Sequence, residues 1–192
     1  MTAPAAGPSG PERPVDPTFR LAAIPGDGVG PEVLAAGRGV LDLVGAADGF
    51  VLDWTELVVG GAGIDAYGVA VRPEDIATCA AADAIYLGAV GGPKWDDPTS
   101  TVRPEQALFA LRGGLELFAN LRPVTIHPAL AAASPLRPEL LDGVDMLFVR
   151  ELTGGLYFGD RTEATGEPGT RAASDTLPYA EHEIARVVRL AF

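Results

Sequence analysis

The chain of 192 residues has one cysteine, Cys79, so no internal disulfide can staple it. Flanked by Thr78, Ala80 and Ala81, that cysteine reads as part of a helix face rather than a reactive thiol. This usage fits a reducing cytoplasm. Positive charge is also scarce: 14 Lys and Arg stand against 26 Asp and Glu, and a net charge of -12 repels phosphate backbones and anionic lipid heads. A nucleic-acid partner is therefore not expected. No run approaches the roughly 18 uninterrupted apolar residues of a membrane span, so no membrane partner is expected either. Residues 1–17 lack the apolar core of a signal peptide and carry Pro4, Pro8, Pro11, Pro14 and Pro17, which predicts a disordered leader. Aromatic residues are few and no internal repeat is visible. What remains, 47% apolar and 21% charged, is the balance of a soluble, cytoplasmic, globular α/β chain.

The apolar run 21–24 predicts a strand that feeds a glycine turn, 25–30, before Pro31 opens a helix at its favoured first position. The turn is not the dinucleotide fingerprint, because the third glycine that Gly26 and Gly28 require would fall on Pro31, or on Val33 if the count starts at Gly28. Val33, Gly37, Val40, Leu41 and Val44 share one predicted helix face, which should pack on a sheet and end near Gly45. Residues 50–59 predict a second strand, 73–82 a helix with Glu74 and Asp75 in its first turn, and 84–87 a third, buried strand. Alternating strands and helices imply parallel pairing with right-handed crossovers. The long loop 88–103 then follows the carboxyl end of a parallel strand, where ligands settle in open sheets.

From Pro104 a helix places Glu105, Leu108, Phe109 and Arg112 on one face, with Gly113 and Gly114 loosening its end. Beyond it, 119–126 predicts a strand, 129–141 a proline-broken segment with a short helix, and 144–150 another buried strand. Gly154 and Gly155 predict a tight reversal that presents Tyr157 on a hairpin, 160–175 a mobile stretch, and 179–192 a helix with Ile184, Val187, Val188 and Ala191 on its apolar face. Arg112, Arg122 and Arg150 each lie where an element stops. Three guanidinium groups converging in an acidic chain would make a site for a small dicarboxylate. Spacing alone leaves the alternative, three unrelated surface arginines, equally open.

Three stretches carry a resemblance: 150–159 (Arg-Glu-Leu-Thr-Gly-Gly-Leu-Tyr-Phe-Gly), 117–123 (Leu-Phe-Ala-Asn-Leu-Arg-Pro) and 91–96 (Gly-Gly-Pro-Lys-Trp-Asp). They resemble the 3-isopropylmalate dehydrogenases of the isocitrate/isopropylmalate dehydrogenase family. The resemblance runs from about residue 21 to the last residue and covers roughly the N-terminal half of the family's pattern. It implies an α/β, two-domain parallel/mixed sheet fold in truncated form. Residues 18–117 would form half of a cofactor-side domain, and 118–192 the start of a second, dimerisation and substrate domain.

The implied activity of the full-length enzyme is NAD-dependent oxidative decarboxylation of 3-isopropylmalate to 4-methyl-2-oxopentanoate in leucine biosynthesis, with Mg²⁺ or Mn²⁺, in a homodimer joined partly by the arm near Tyr157. Tyr157 would protonate the enol. Arg112, Arg122, Arg150 and Leu108 would bind substrate, and Val29, Gly92, Asp96 and Glu105 the nicotinamide cofactor. The family's lysine base, metal-ligating aspartates and adenosine loop match nothing in this sequence, whose single lysine is Lys94, so no metal ligand is assigned here. NAD over NADP rests on the family alone. The competing readings are a tartrate/malate or homoisocitrate dehydrogenase of the same family, and a non-catalytic truncated fragment or interaction module; the 192-residue chain alone is expected to be inactive.

Overall fold

The computed structural model describes residues 17–97 and 99–192. The leader expected over 1–17 lies, but for Pro17, outside the described residues. The chain divides into two units, one up to Leu108 and the other from Phe109 to Phe192. This division falls inside a helix, earlier than the sequence-based boundary at 117/118.

In the first unit β1 (Thr18–Gly26) is the central strand, with β2 (Val51–Glu56) and β3 (Ala84–Ala89) paired parallel on either side in the order β2-β1-β3. Parallel neighbours need a crossover, which α1 (Gly30–Asp48) supplies between β1 and β2, and α2 (Gly61–Tyr67) with α3 (Pro73–Ala81) between β2 and β3. The buried run Leu21, Ala22, Ala23 and Ile24 marks β1 as covered on both faces. Burying the Ile24 side chain alone contributes about 1.5–3 kcal/mol. By contrast β3, expected to be buried, is only half-buried, because only its β1 side is paired among the described residues.

Pro31 stands in the first turn of α1 as expected, but the helix runs past Gly45 to Asp48 and is capped by Gly49, whose φ of 78° lets its N–H return to the Gly45 carbonyl at 2.9 Å. The expected cap, Gly45, is a buried interior residue. The packed stripe also differs from the predicted one: Gly30, Leu34 and Gly45 are buried, whereas Val33, Val40 and Val44 are exposed. The helix approaches the sheet through its glycines, and the Tyr86 hydroxyl of β3 fills the space where a side chain at Gly37 would stand. On α3, Asp75 is buried and gripped by the Arg72 fork, Nε to Oδ2 at 3.0 Å and Nη2 to Oδ1 at 2.8 Å, which holds its carboxyl below the ordinary range. Cys79 is buried beside it, and burial, with the Asp75 charge, pushes the thiol up.

In the second unit β4 (Ala119–Thr125) and β5 (Asp145–Glu151) pair antiparallel, and 3₁₀ turns at Pro128–Ala133 and Pro138–Leu140 replace the short helix expected between them. The helix that spans the division is α4 (Gln106–Gly114). The buried strand predicted at 144–150 is largely exposed, since Met146, Leu147 and Phe148 lie on a ladder of only two strands. Nor do Gly154 and Gly155 form a hairpin; Gly155, at φ 71°, starts a single 3₁₀ turn through Tyr157. The hairpin lies instead in the stretch read as mobile, where β6 (Arg161–Thr165) and β7 (Ala172–Asp175) pair antiparallel and are exposed throughout.

The last helix, α5 (Glu181–Ala191), meets β5 through Arg186, which pairs with Glu151 at 3.6 Å, bonds the Thr153 hydroxyl and lies over the Phe118 ring at 4.9 Å. Glu151 also accepts from the Thr153 hydroxyl at 2.6 Å and from the backbone N–H of Thr153 and Gly154 at 2.9 and 2.8 Å. Burial works to raise its pKa, but these hydrogen bonds and the Arg186 charge outweigh it and hold the group low. A depressed folded-state pKa contributes stability that is complete above the unfolded value and is lost as pH falls through the folded one. Urea midpoints should therefore drop as pH is lowered through and below the ordinary carboxylate range, less steeply in Glu151→Gln; an equally steep drop in the variant would show that Glu151 is not a source of it.

Candidate functional site

At the carboxyl ends of the three parallel strands, backbone geometry dominates. After β1 the turn 26–28 bends with Gly26 at φ 69° and Gly28 at φ 57°, conformations that side-chain-bearing residues rarely adopt. This aims Asp27 inward, and its own N–H donates to the Ala89 carbonyl at 2.7 Å. The Asp27 carboxylate is buried and accepts three backbone N–H groups: Gly61 at 2.7 Å and Gly91 at 2.8 Å on Oδ2, and Ala62 at 2.8 Å on Oδ1.

The loop after β3 begins at this point. Its 3₁₀ turn, Pro93–Trp95, sets the Trp95 ring against Gly61, where a Cβ would come within 2.5 Å of the indole, and Lys94 Nζ meets Asp65 Oδ2 of α2 at 2.5 Å. Glu105, at the far end of the loop, returns beside Gly91, whose absent Cβ would stand 2.9 Å from Glu105 Oε1. Of the residues singled out by sequence, Gly92 and Asp96 thus lie on this loop, Glu105 closes it, and Val29 is 58% exposed on the neighbouring turn. Asp27 was missed. Its partners are main-chain amides 34 to 64 positions away, and no local pattern announces them.

The second unit supplies the guanidinium groups. The pairing Asn120↔Arg150 and Arg122↔Phe148 puts Arg122 and Arg150 on one face of the β4–β5 ladder as diagonal neighbours, a spacing of roughly 7–8 Å between backbones. Arg122 Nε is steadied by Asn120 Oδ1 at 2.8 Å. Arg150 Nη2 donates to the Tyr157 hydroxyl at 2.8 Å, and its Cζ lies 5.4 Å from the centre of that ring. Because the phenol oxygen accepts from Arg150, the Tyr157 O–H hydrogen is left free to be given to another atom. Phe109, on the helix face read from the sequence, places its ring 5.4 Å from Tyr157 and 6.3 Å from Phe158.

Arg112 and Leu108 are half-buried one turn apart on α4, and no ion pair or side-chain hydrogen bond of Arg112 occurs among the described residues. Arg122, Arg150 and Tyr157 are therefore brought together within this unit. Among the described residues no group of three or more His, Cys, Asp or Glu is arranged to hold a metal ion, so the described side chains do not by themselves complete a Mg²⁺ or Mn²⁺ site.

Residues 20–192 match the family described as isocitrate/isopropylmalate dehydrogenase. The chain belongs to this family. Two isocitrate/isopropylmalate dehydrogenase relatives are a 3-isopropylmalate dehydrogenase of Anaeromyxobacter dehalogenans, 56% identical over 173 residues, and one of Hahella chejuensis, 55% identical over 170. The alignments cover 90% and 88% of this chain but 49% and 47% of those proteins, so the chain spans about half the length of the curated relatives it matches. Among solved structures, a β-decarboxylating dehydrogenase of Thermococcus kodakarensis in its apo form superimposes with a TM-score of 0.58 at 29% identity, over 90% of this chain and 44% of that one. The α/β class and parallel sheet read from the sequence agree with membership of the isocitrate/isopropylmalate dehydrogenase family.

Proposed function

We propose that this chain serves, within a full-length enzyme, the NAD-dependent oxidative decarboxylation of 3-isopropylmalate to 4-methyl-2-oxopentanoate in leucine biosynthesis. The observation that carries this reading is the Arg150–Tyr157 pair at 2.8 Å on the face that also bears Arg122, in a chain with close relatives of that name. Arg122 and Arg150, joined by Arg112, grip the substrate carboxylates in bidentate fashion. Leu108 faces the branched alkyl arm. Tyr157, steadied through its oxygen by Arg150 and through its ring by Phe109, delivers the proton that completes the enol's return to a ketone.

On the cofactor side, Val29, Gly92, Asp96 and Glu105 receive the nicotinamide, which when bound supplies the hydride acceptor. The glycine-rich backbone there, with Gly91 at φ 104°, lets a planar ring come close to the main chain. The described residues do not by themselves make up a site for the divalent cation. A homodimer in the cytoplasm completes the reading. That same lack of fit favours a second reading for the chain by itself, a non-catalytic segment that keeps the carboxylate grip. A full-length enzyme carrying these residues should turn over 3-isopropylmalate in preference to malate and isocitrate in side-by-side NADH assays; a preference for isocitrate would sink the assignment.

A further inference from the structure

We infer that Asp27 is a positioning residue for the cofactor loop: its buried carboxylate fixes the backbone at Gly91, where that loop begins, against the first turn of α2. The inference rests on the proposed cofactor role of Gly92, Asp96 and Glu105. The three amides that Asp27 holds and its own turn come from the segments that follow β1, β2 and β3, so a single carboxylate gathers the carboxyl ends of all three parallel strands. Asp27 is 4% exposed, and no cation pairs with it among the described residues; three N–H dipoles take the place of water and counterion.

The surroundings are shaped to keep it there. Gly26 and Gly28 give the turn its direction, and a Cβ at Gly60 would stand 2.6 Å from Asp27 Oδ2, so position 60 is kept bare for the carboxylate. The loop then docks on α2 twice more, through Trp95 on Gly61 and Lys94 on Asp65. A segment that holds a ligand largely by its main chain must have its N–H and C=O groups aimed beforehand. Gly91-Gly92 alone would sample too many φ/ψ values to do this.

Asp27→Asn keeps the shape but turns one acceptor oxygen into a donor facing an N–H, and Asp27→Ala removes all three bonds. Hydrogen–deuterium exchange on the 192-residue chain reads the loop directly. Amides of Gly61, Ala62, Gly91 and Gly92 should exchange roughly 10-fold faster in Asp27→Asn, about one hydrogen bond's worth, while Ala22, Ala23 and Ile24 keep their protection. Trp95→Leu leaves Asp27 intact and should loosen 92–96 alone, so the docking is tested even if an Asp27 variant folds poorly. In a full-length enzyme carrying these residues, Asp27→Asn should raise KM for NAD at least 10-fold, with a smaller change in kcat and none in KM for the dicarboxylate.

Uniform loss of protection would make Asp27 a mere contributor to stability, and an unchanged KM for NAD despite a loosened loop would show that the loop's order does not serve the cofactor; either result overturns the inference. If the unaltered enzyme shows no saturation by NAD at all, the proposed function is what fails, and the exchange data still decide what Asp27 holds.

Discussion

Given 3-isopropylmalate, NAD and either Mg²⁺ or Mn²⁺, the 192-residue chain by itself is expected to form no NADH. Oxidising a 2-hydroxy acid calls for a base to take the hydroxyl proton and a cation to hold the alkoxide and then the enolate. No cluster of His, Cys, Asp or Glu among the described residues can hold that cation. The one lysine, Lys94, is paired with Asp65 at 2.5 Å on the loop after β3. Removing a single electrostatic contact of this kind costs on the order of 10²-fold in rate, and losing base and cation together takes turnover below detection. Arg122 and Arg150 need no such help, so weak dicarboxylate binding should persist in a calorimeter. Sustained NADH formation by this chain alone would mean that another group on it does the chemistry.

The largest loss of stability from a single small change is expected at Gly26. Its φ of 69° costs a side-chain-bearing residue about 1–2 kcal/mol, and a Cβ there would run into the Ala89 carbonyl. That carbonyl cannot retreat cheaply: it accepts the Asp27 N–H at 2.7 Å, and Ala89 is the register partner of Gly26. Strain and overlap together should make Gly26→Ala cost about 3 kcal/mol or more, a large share of a typical total of roughly 5–15 kcal/mol. The control is Gly39→Ala, inside α1 with nothing within 4 Å of the new methyl, which should stabilise by about 0.5–1 kcal/mol. Urea midpoints for the two variants should move in opposite directions; matching midpoints would refute the crowding at Gly26.

What could be read from residue order was what depends on short stretches. Apolar runs gave β1 and β3, Pro31 the start of α1, and strand–helix alternation the parallel pairing. The failures have physical causes. The packed stripe of α1 was misplaced because Gly37 and Gly45 pack by having no side chain, which hydropathy cannot score, while the valines beside them face outward. Helix α2 went unseen because it is seven residues bounded by Gly60 and Gly68. An apolar run such as Met146-Leu147-Phe148 says that a strand forms, not that anything lies on top of it. On the site, Arg150 and Tyr157 stand close enough in sequence for their pairing to be guessed. The Asp27 hub joins residues too far apart for any local signal.

The meeting of Gly37 with Tyr86 carries a consequence for descent. The helix can lie this close to the sheet only while position 37 is bare, and the space so left is filled only while position 86 carries a phenol. A methyl gained at 37 collides with the ring, and a ring lost at 86 leaves a void under the helix. Either change alone forces the other side to adjust, so the two positions hold one inherited choice between them. Across diverging lineages they should be seen to switch as a pair: bare with bulky, or filled with small.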